Sequence, residues 1–157
     1  MASMQEFTLQ HEEIARLIID AEDVACVHPA HSAEHALLVL IKSGYSAIPV
    51  VDSAGRVVGI ISKTLILDRI LGLERIEFEA LSQFTVADVM RTDFHRIHHD
   101  DTFLRALQMS IDAPFLCVED DDERFVGLLT RHGILAYLNG IIRKTCGAHR
   151  ASMAVGS

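Results

Sequence analysis

Apolar and polar positions run through the same order twice in this chain. From Gly44 to Ile70 the residues GYSAIPVVDSAGRVVGIISKTLILDRI pass from a β-branched run through a polar turn to a second β-branched run, then to apolar residues three and four apart. That pattern predicts strand, turn, strand, helix. From Ala113 to Leu138 the residues APFLCVEDDDERFVGLLTRHGILAYL repeat it. The register is shared, because Val50-Val51-Asp52 falls on Val118-Glu119-Asp120 and Gly59-Ile60-Ile61-Ser62 on Gly127-Leu128-Leu129-Thr130, each 68 residues later.

Upstream the offset is 70: Val27-His28-Pro29 falls on Ile97-His98-His99, Ser32 on Thr102 and Ala36-Leu37 on Ala106-Leu107. Ser32 and Thr102 each precede an apolar periodic run, where a hydroxyl can accept a hydrogen bond from an early helical N–H. The spacing of Leu37, Leu38 and Ile41, and of Leu104, Leu107 and Ile111, predicts an amphipathic helix in each copy. A second helix follows each hairpin, with Leu65, Ile66, Ile70 and Leu71 in one copy and Ile134, Leu135, Leu138 and Ile142 in the other. The order is thus β-α-β-β-α, twice. One such unit buries too small a core to stand alone comfortably, and two packed sheet to sheet share one.

The fold class expected is therefore α/β (α+β), with two pseudo-twofold related β-α-β-β-α units. Residues 10–72 form the first repeat with an N-terminal helix, 73–84 a helical linker, 85–145 the second repeat and 146–157 a flexible tail.

Size and charge narrow the function. The chain has 157 residues, half of them hydrophobic and only 6% aromatic, which suits an aliphatic core of one compact module. With 14 Lys and Arg against 22 Asp and Glu, its formal charge of −8 is the wrong sign for a groove that tracks phosphates, so no nucleic-acid partner is expected. The longest aliphatic run, Ala36 to Ile41, is far short of the roughly 20 residues that span a bilayer. The start carries no basic segment followed by an apolar one, so the expected location is cytoplasmic. Cys26, Cys117 and Cys146 are widely spaced, which fits reduced thiols.

No catalytic motif is present: there is no G-x-S-x-G, H-E-x-x-H, Walker loop or Rossmann fingerprint, and no enzyme is expected. The acidic run Glu119 to Glu123 reads as a solvated hairpin tip. Histidines gather at His28, His31 and His35 and again at His95, His98 and His99, but their spacing does not assure convergence, so no metal site is assigned.

The SAIPVVD strand with its proline, the strand ends Gly59 to Ser62 and Gly127 to Thr130, and the repeated element order resemble a tandem pair of cystathionine β-synthase (CBS) domains over roughly residues 10 to 145. That resemblance implies a regulatory module that binds adenosine compounds in clefts between its repeats. EHALLVLIKSGYSAIPVVD together with ILGLERIEFEALSQFTVADVM is similar, more closely, to the stand-alone CBS-pair proteins of Gram-positive bacteria that bind cyclic di-AMP.

The resemblance implies a ligand site formed by Asp23 and Ala25, by Tyr45, Ser46 and Ala47, and by the Thr130-Arg131-His132 corner of the other copy. Ala25 and Ala47 let backbone approach the base, Ser46 offers a hydroxyl and Arg131 would clamp a phosphate. Ser62 and Lys63 occupy the equivalent corner of the other cleft. The chain departs from the pattern where Asp23 replaces a lysine and His132 a second arginine. A histidine supplies charge only in mildly acid conditions, so affinity is expected to rise as pH falls. Mononucleotide-binding CBS pairs carry an acidic residue where this chain has Leu65 and Gly133, which disfavours AMP or ATP. The resemblance also implies a homodimer that regulates a target enzyme, a synthetase of guanosine tetraphosphate, through the adenine nucleotide. A third reading is a ligand-free interaction scaffold.

Overall fold

The computed structural model describes residues 14–155, and the side chains of 14–147. Its order is β1 (Ile19–Asp20), α1 (Ala33–Ser43), β2 (Ala47–Val51), β3 (Val57–Ser62), α2 (Lys63–Ile70), α3 (Val86–Val89), β4 (Arg96–His98), α4 (Phe103–Ser110), β5 (Phe115–Glu119), β6 (Phe125–Thr130) and α5 (Arg131–Val155), with short 3-10 turns between. The second copy shows the full β-α-β-β-α order, whereas the leading strand of the first is reduced to the single bridge of Val27 with Val50.

Helices α1 and α4 are capped as the sequence predicts. Ser32 Oγ accepts from His35 N–H at 3.1 Å and Thr102 Oγ1 from Arg105 N–H at 3.2 Å. Ser62 and Thr130 do the same for α2 and α5, at 3.1 and 3.0 Å. The two hairpin turns are also one design: Asp52 Oδ1 accepts from Ala54 and Arg56 N–H, and Asp120 Oδ1 from Asp122 and Arg124 N–H.

The faces of α1 and α4 differ from the expectation. The buried stripe is Ala33, Ala36 and Leu40 in α1 and Phe103, Ala106 and Ser110 in α4, 70 residues apart. Leu38, Ile41 and Ile111 lie exposed, at 52%, 58% and 75%. Leu37, Leu104 and Leu107 are only half-buried. Each buried stripe thus joins small residues to one large one, Leu40 or Phe103, while Leu38, Ile41 and Ile111 turn outward.

The sheets exchange strands. β2 and β3 pair antiparallel, and β1-β6-β5-β4 form a four-stranded sheet. β1 belongs to the first repeat yet pairs with β6 of the second, Ile19 opposite Leu128. Reciprocally, Arg91, ahead of β4 in the second repeat, exchanges both backbone hydrogen bonds with Ile60 of the first, at 2.9 and 2.8 Å. Gly127 and Gly59 make this approach possible. A Cβ on Gly127 would stand 2.2 Å from the Ile19 carbonyl oxygen, and one on Gly59 would stand 2.7 Å from Met90 Sδ. The core accordingly has three parts, one for each repeat and a third in which Val57, Ile60 and Cys117 join the two sheets.

The N-terminal helix expected from residue 10 lies outside the described residues as far as residue 13, and Ile14–Leu17 form a 3-10 turn. The segment after residue 145, expected as a flexible tail, continues α5 to Val155, since Ala148, Ala151 and Ala154 favour helix and no proline interrupts it. No helix among the described residues is long and apolar enough to cross a membrane.

Candidate functional site

Two clefts open between the repeats, related by the internal duplication. The first is a narrow apolar slot of about 100 Å³ between Ala25, Tyr45 and Ala47 of the first repeat and Pro114, Phe115, Leu128 and Thr130 of the second. The second, of about 380 Å³, has Phe94, His95, Ala113 and Phe115 on one side and Ile60, Ser62 and Leu65 on the other. Phe94 and His95 are the counterparts of Val24 and Ala25, and Ser62 of Thr130.

Their chemistry differs. Asp93, Asp112 and Arg91 line the second cleft, whereas among the described residues no charged side chain lines the first. The difference extends to the backbone. In the second repeat Cys117 N–H donates to the His95 carbonyl at 3.1 Å and β4 pairs parallel with β5 over three residues. The counterpart of Cys117 is Pro49, which has no N–H to give. Only the Val27 bridge remains there, with Val27 N–H on the Pro49 carbonyl at 3.2 Å and Val51 N–H on the Val27 carbonyl at 2.9 Å. Among the described residues no backbone N–H donates to the Ala25 carbonyl. A proline inside a strand thus leaves an acceptor unspent beside the apolar slot.

Of the residues singled out from the sequence, Ala25, Tyr45 and Ala47 meet in the first cleft, joined by Thr130. Asp23 closes the 3-10 turn just before the lining residue Val24 and is exposed. Ser46 is exposed, and its carbonyl accepts from Lys63 N–H at 3.1 Å. Arg131 and His132 start α5 next to Thr130. The Arg131 guanidinium is not on the wall of the slot: Nε donates to the Ser110 carbonyl at 2.7 Å and Nη2 to the Ile111 carbonyl at 3.5 Å, at the C-terminal end of α4. A helix end offers unpaired carbonyls and negative partial charge, which a guanidinium satisfies. His132 is exposed.

Sequence reasoning passed over Pro49, Pro114 and Phe115 as site residues, although Pro49 was visible inside SAIPVVD. Its value there comes from the bond it cannot make, which only the pairing with the Val27 segment reveals.

A family model of the CBS domain matches residues 13–72 and 86–140. The chain belongs to the CBS domain family. Among curated proteins it is 45% identical over 143 residues to cyclic di-AMP receptor B of Bacillus subtilis, covering 91% of this chain and 97% of the relative. Among solved structures, a CBS domain-containing protein of unknown function from Bacillus anthracis is 48% identical, with a TM-score of 0.82, covering 86% of this chain and 98% of that one. The CbpB protein of Listeria monocytogenes in complex with c-di-AMP is 46% identical, with a TM-score of 0.77, covering 83% and 97%. The CBS pair read from the duplicated pattern is therefore the architecture this family shares, and the resemblance to cyclic di-AMP receptors holds at nearly half of the aligned positions.

Proposed function

We propose that this CBS pair is a non-catalytic receptor for cyclic di-AMP and that the first cleft holds the base. The observation that carries this reading is the apolar slot between Ala25, Ala47 and Pro114 with the unspent Ala25 carbonyl at its edge. An adenine ring fits apolar walls, and its exocyclic amine is a donor that needs a carbonyl. The phosphates then lie toward the start of α5, a 25-residue helix whose first N–H groups carry positive partial charge. Arg131 stands at that start, and among the described residues its Nη1 makes no hydrogen bond. The names of the Bacillus subtilis and Listeria relatives support the same ligand.

The exposed aliphatics Leu38, Ile41, Ile111, Leu135 and Ile142 support a homodimer, since apolar helix faces of this extent gain from being covered. The dimer presents a surface to a target enzyme, which we read as a synthetase of guanosine tetraphosphate, and the ligand shifts it by binding two states with different affinity. The setting inferred is cytoplasmic.

Thermal unfolding with cyclic di-AMP, cyclic di-GMP, AMP and ATP tests the ligand. A nucleotide at a hundred times its dissociation constant stabilises the fold by about 2.7 kcal/mol. Cyclic di-AMP is expected to do so selectively, and Arg131→Ala to weaken it about tenfold or more, as the loss of one charge-assisted hydrogen bond. An equal response to AMP and ATP, or none to any nucleotide, rejects the reading.

A further inference from the structure

Outside both clefts, the turn after β4 and the tip of the β5–β6 hairpin gather two imidazoles and two carboxylates. Ligand-type atoms of His98, His99, Asp100 and Asp121 all lie within 4.8 Å of one another. His98 Nε2 stands 2.6 Å from Asp121 Oδ1, and His99 Nε2 stands 3.9 Å from the same oxygen. His99 Nδ1 is 3.0 Å from Asp100 Oδ1. That separation sets a carboxylate beside His99 Nδ1, the kind of support that orients a metal-binding histidine, and leaves Nε2 for a ligand role. Three donors around a zinc-sized ion, each about 2.1 Å from it, stand roughly 3.4 Å from one another, so the observed separations need only small rotations.

The first repeat shows which part of this arrangement is structural. There His28 Nδ1 accepts from Ala30 N–H at 3.0 Å while Nε2 meets Ser53 Oγ at 3.0 Å, latching the strand end to the hairpin. His98 repeats that latch, accepting from Asp100 N–H at 3.1 Å and reaching Asp121. One ring and one neutral hydroxyl suffice for it. In the second repeat His99, Asp100 and Asp121 stand where the first has Pro29, Ala30 and Ser53, so three ligand-type side chains are added at one point without being needed by the latch.

We propose that the second repeat binds a divalent transition-metal ion of the zinc class through His98 Nε2, His99 Nε2 and the Asp121 carboxylate, with Asp100 orienting His99. On binding, the His98 proton moves from Nε2 to Nδ1, which breaks the Asp100 N–H bond to Nδ1, and Asp100 Oδ2, now 3.9 Å away, takes over as the partner of that nitrogen. Mixed imidazole and carboxylate donors select first-row ions over magnesium and calcium, which take oxygen alone. The ion would fasten the β5–β6 hairpin, which itself touches the first repeat through the Phe125 N–H bond to the Gly55 carbonyl at 2.8 Å. It therefore sits where it can stiffen the junction of the two repeats.

Calorimetric titration of the untagged full chain with zinc chloride, and separately with magnesium chloride, is the test. One zinc per chain and no heat from magnesium are expected. The double variant His99→Ala with Asp121→Ser keeps the latch in the form used by the first repeat and should weaken zinc at least about tenfold. Asp121→Asn, which keeps a hydrogen bond to His98, should do likewise and covers the case in which the double variant is unfolded. His31→Ala with His35→Ala, in the histidine group of the first repeat, should leave zinc binding unchanged. Absence of zinc binding, equal binding of magnesium, or unchanged affinity in the Asp121 variants overturns the proposal.

Discussion

Ala25 and His95 occupy the same place in the two repeats, and so do Pro49 and Cys117, yet the clefts beside them have diverged. At the first, a small side chain and a proline leave an apolar slot with a free carbonyl. At the second, an imidazole and two carboxylates line the larger opening and the corresponding carbonyl is spent on Cys117 N–H. Duplication supplied two equal frames, and a few side chains gave them different linings. An approximate twofold axis therefore does not imply two equal sites.

Exchanging the residue that separates the clefts should have the largest effect. Ala25→His fills the slot, and overpacking of this kind costs about 1 to 3 kcal/mol, roughly fivefold to a hundredfold in affinity for cyclic di-AMP. His95→Ala should leave that affinity unchanged. Isothermal titration of both variants decides which cleft is occupied, and the reverse ranking would move the site to the second.

The glycines that admit the exchanged strands should differ next. Gly127→Ala sets a methyl group 2.2 Å from a backbone oxygen of β1 that cannot retreat without breaking the β1–β6 pair, whereas the atom nearest a Cβ on Gly59 is the end of the flexible Met90 side chain. Denaturant unfolding should show a loss of about 2 to 3 kcal/mol for Gly127→Ala and about 1 kcal/mol for Gly59→Ala. Equal losses would mean that both strand exchanges are equally rigid.

The effect that is silent at neutral pH concerns Cys117, whose thiol pKa is pushed up to about 12 by burial, with the Glu119 carboxylate adding to it. Above about pH 8.5 the unfolded chain loses this proton while the folded chain keeps it, so stability should fall with rising pH by up to about 1.4 kcal/mol per unit. Below that range the contribution is constant. Cys117→Val should flatten the alkaline limb of a stability–pH curve, and an unchanged limb would assign it to other groups. Pro49 contributes no such term to the first repeat.

Much of this fold was legible in the chain. Hydroxyls at Ser32 and Thr102 announced two helix starts because a cap acts over three residues, and Ser62 and Thr130 cap two more. Asp52 and Asp120 announced the hairpin turns for the same local reason. The outward turn of Leu38, Ile41 and Ile111 was not legible, since periodicity reports that a helix has an apolar face without saying which of two apolar faces meets the sheet. Of the candidate site, Ala25, Tyr45 and Ala47 were found through resemblance. The diversion of Arg131 onto the end of α4 was not, because it depends on a carbonyl 21 residues away.

What the sequence determined by itself was the duplicated order of elements, their caps and turns, and the two glycines held in common, because each rests on residues a few positions apart or on a repeat that can be counted. Tertiary structure alone decided which strand crossed to which sheet, that Pro49 would leave the Ala25 carbonyl unspent, and that His99 and Asp121 would meet. Each of those depends on which backbone groups and side chains find one another across the whole chain, a competition of hydrogen bonds and packing that no local pattern records.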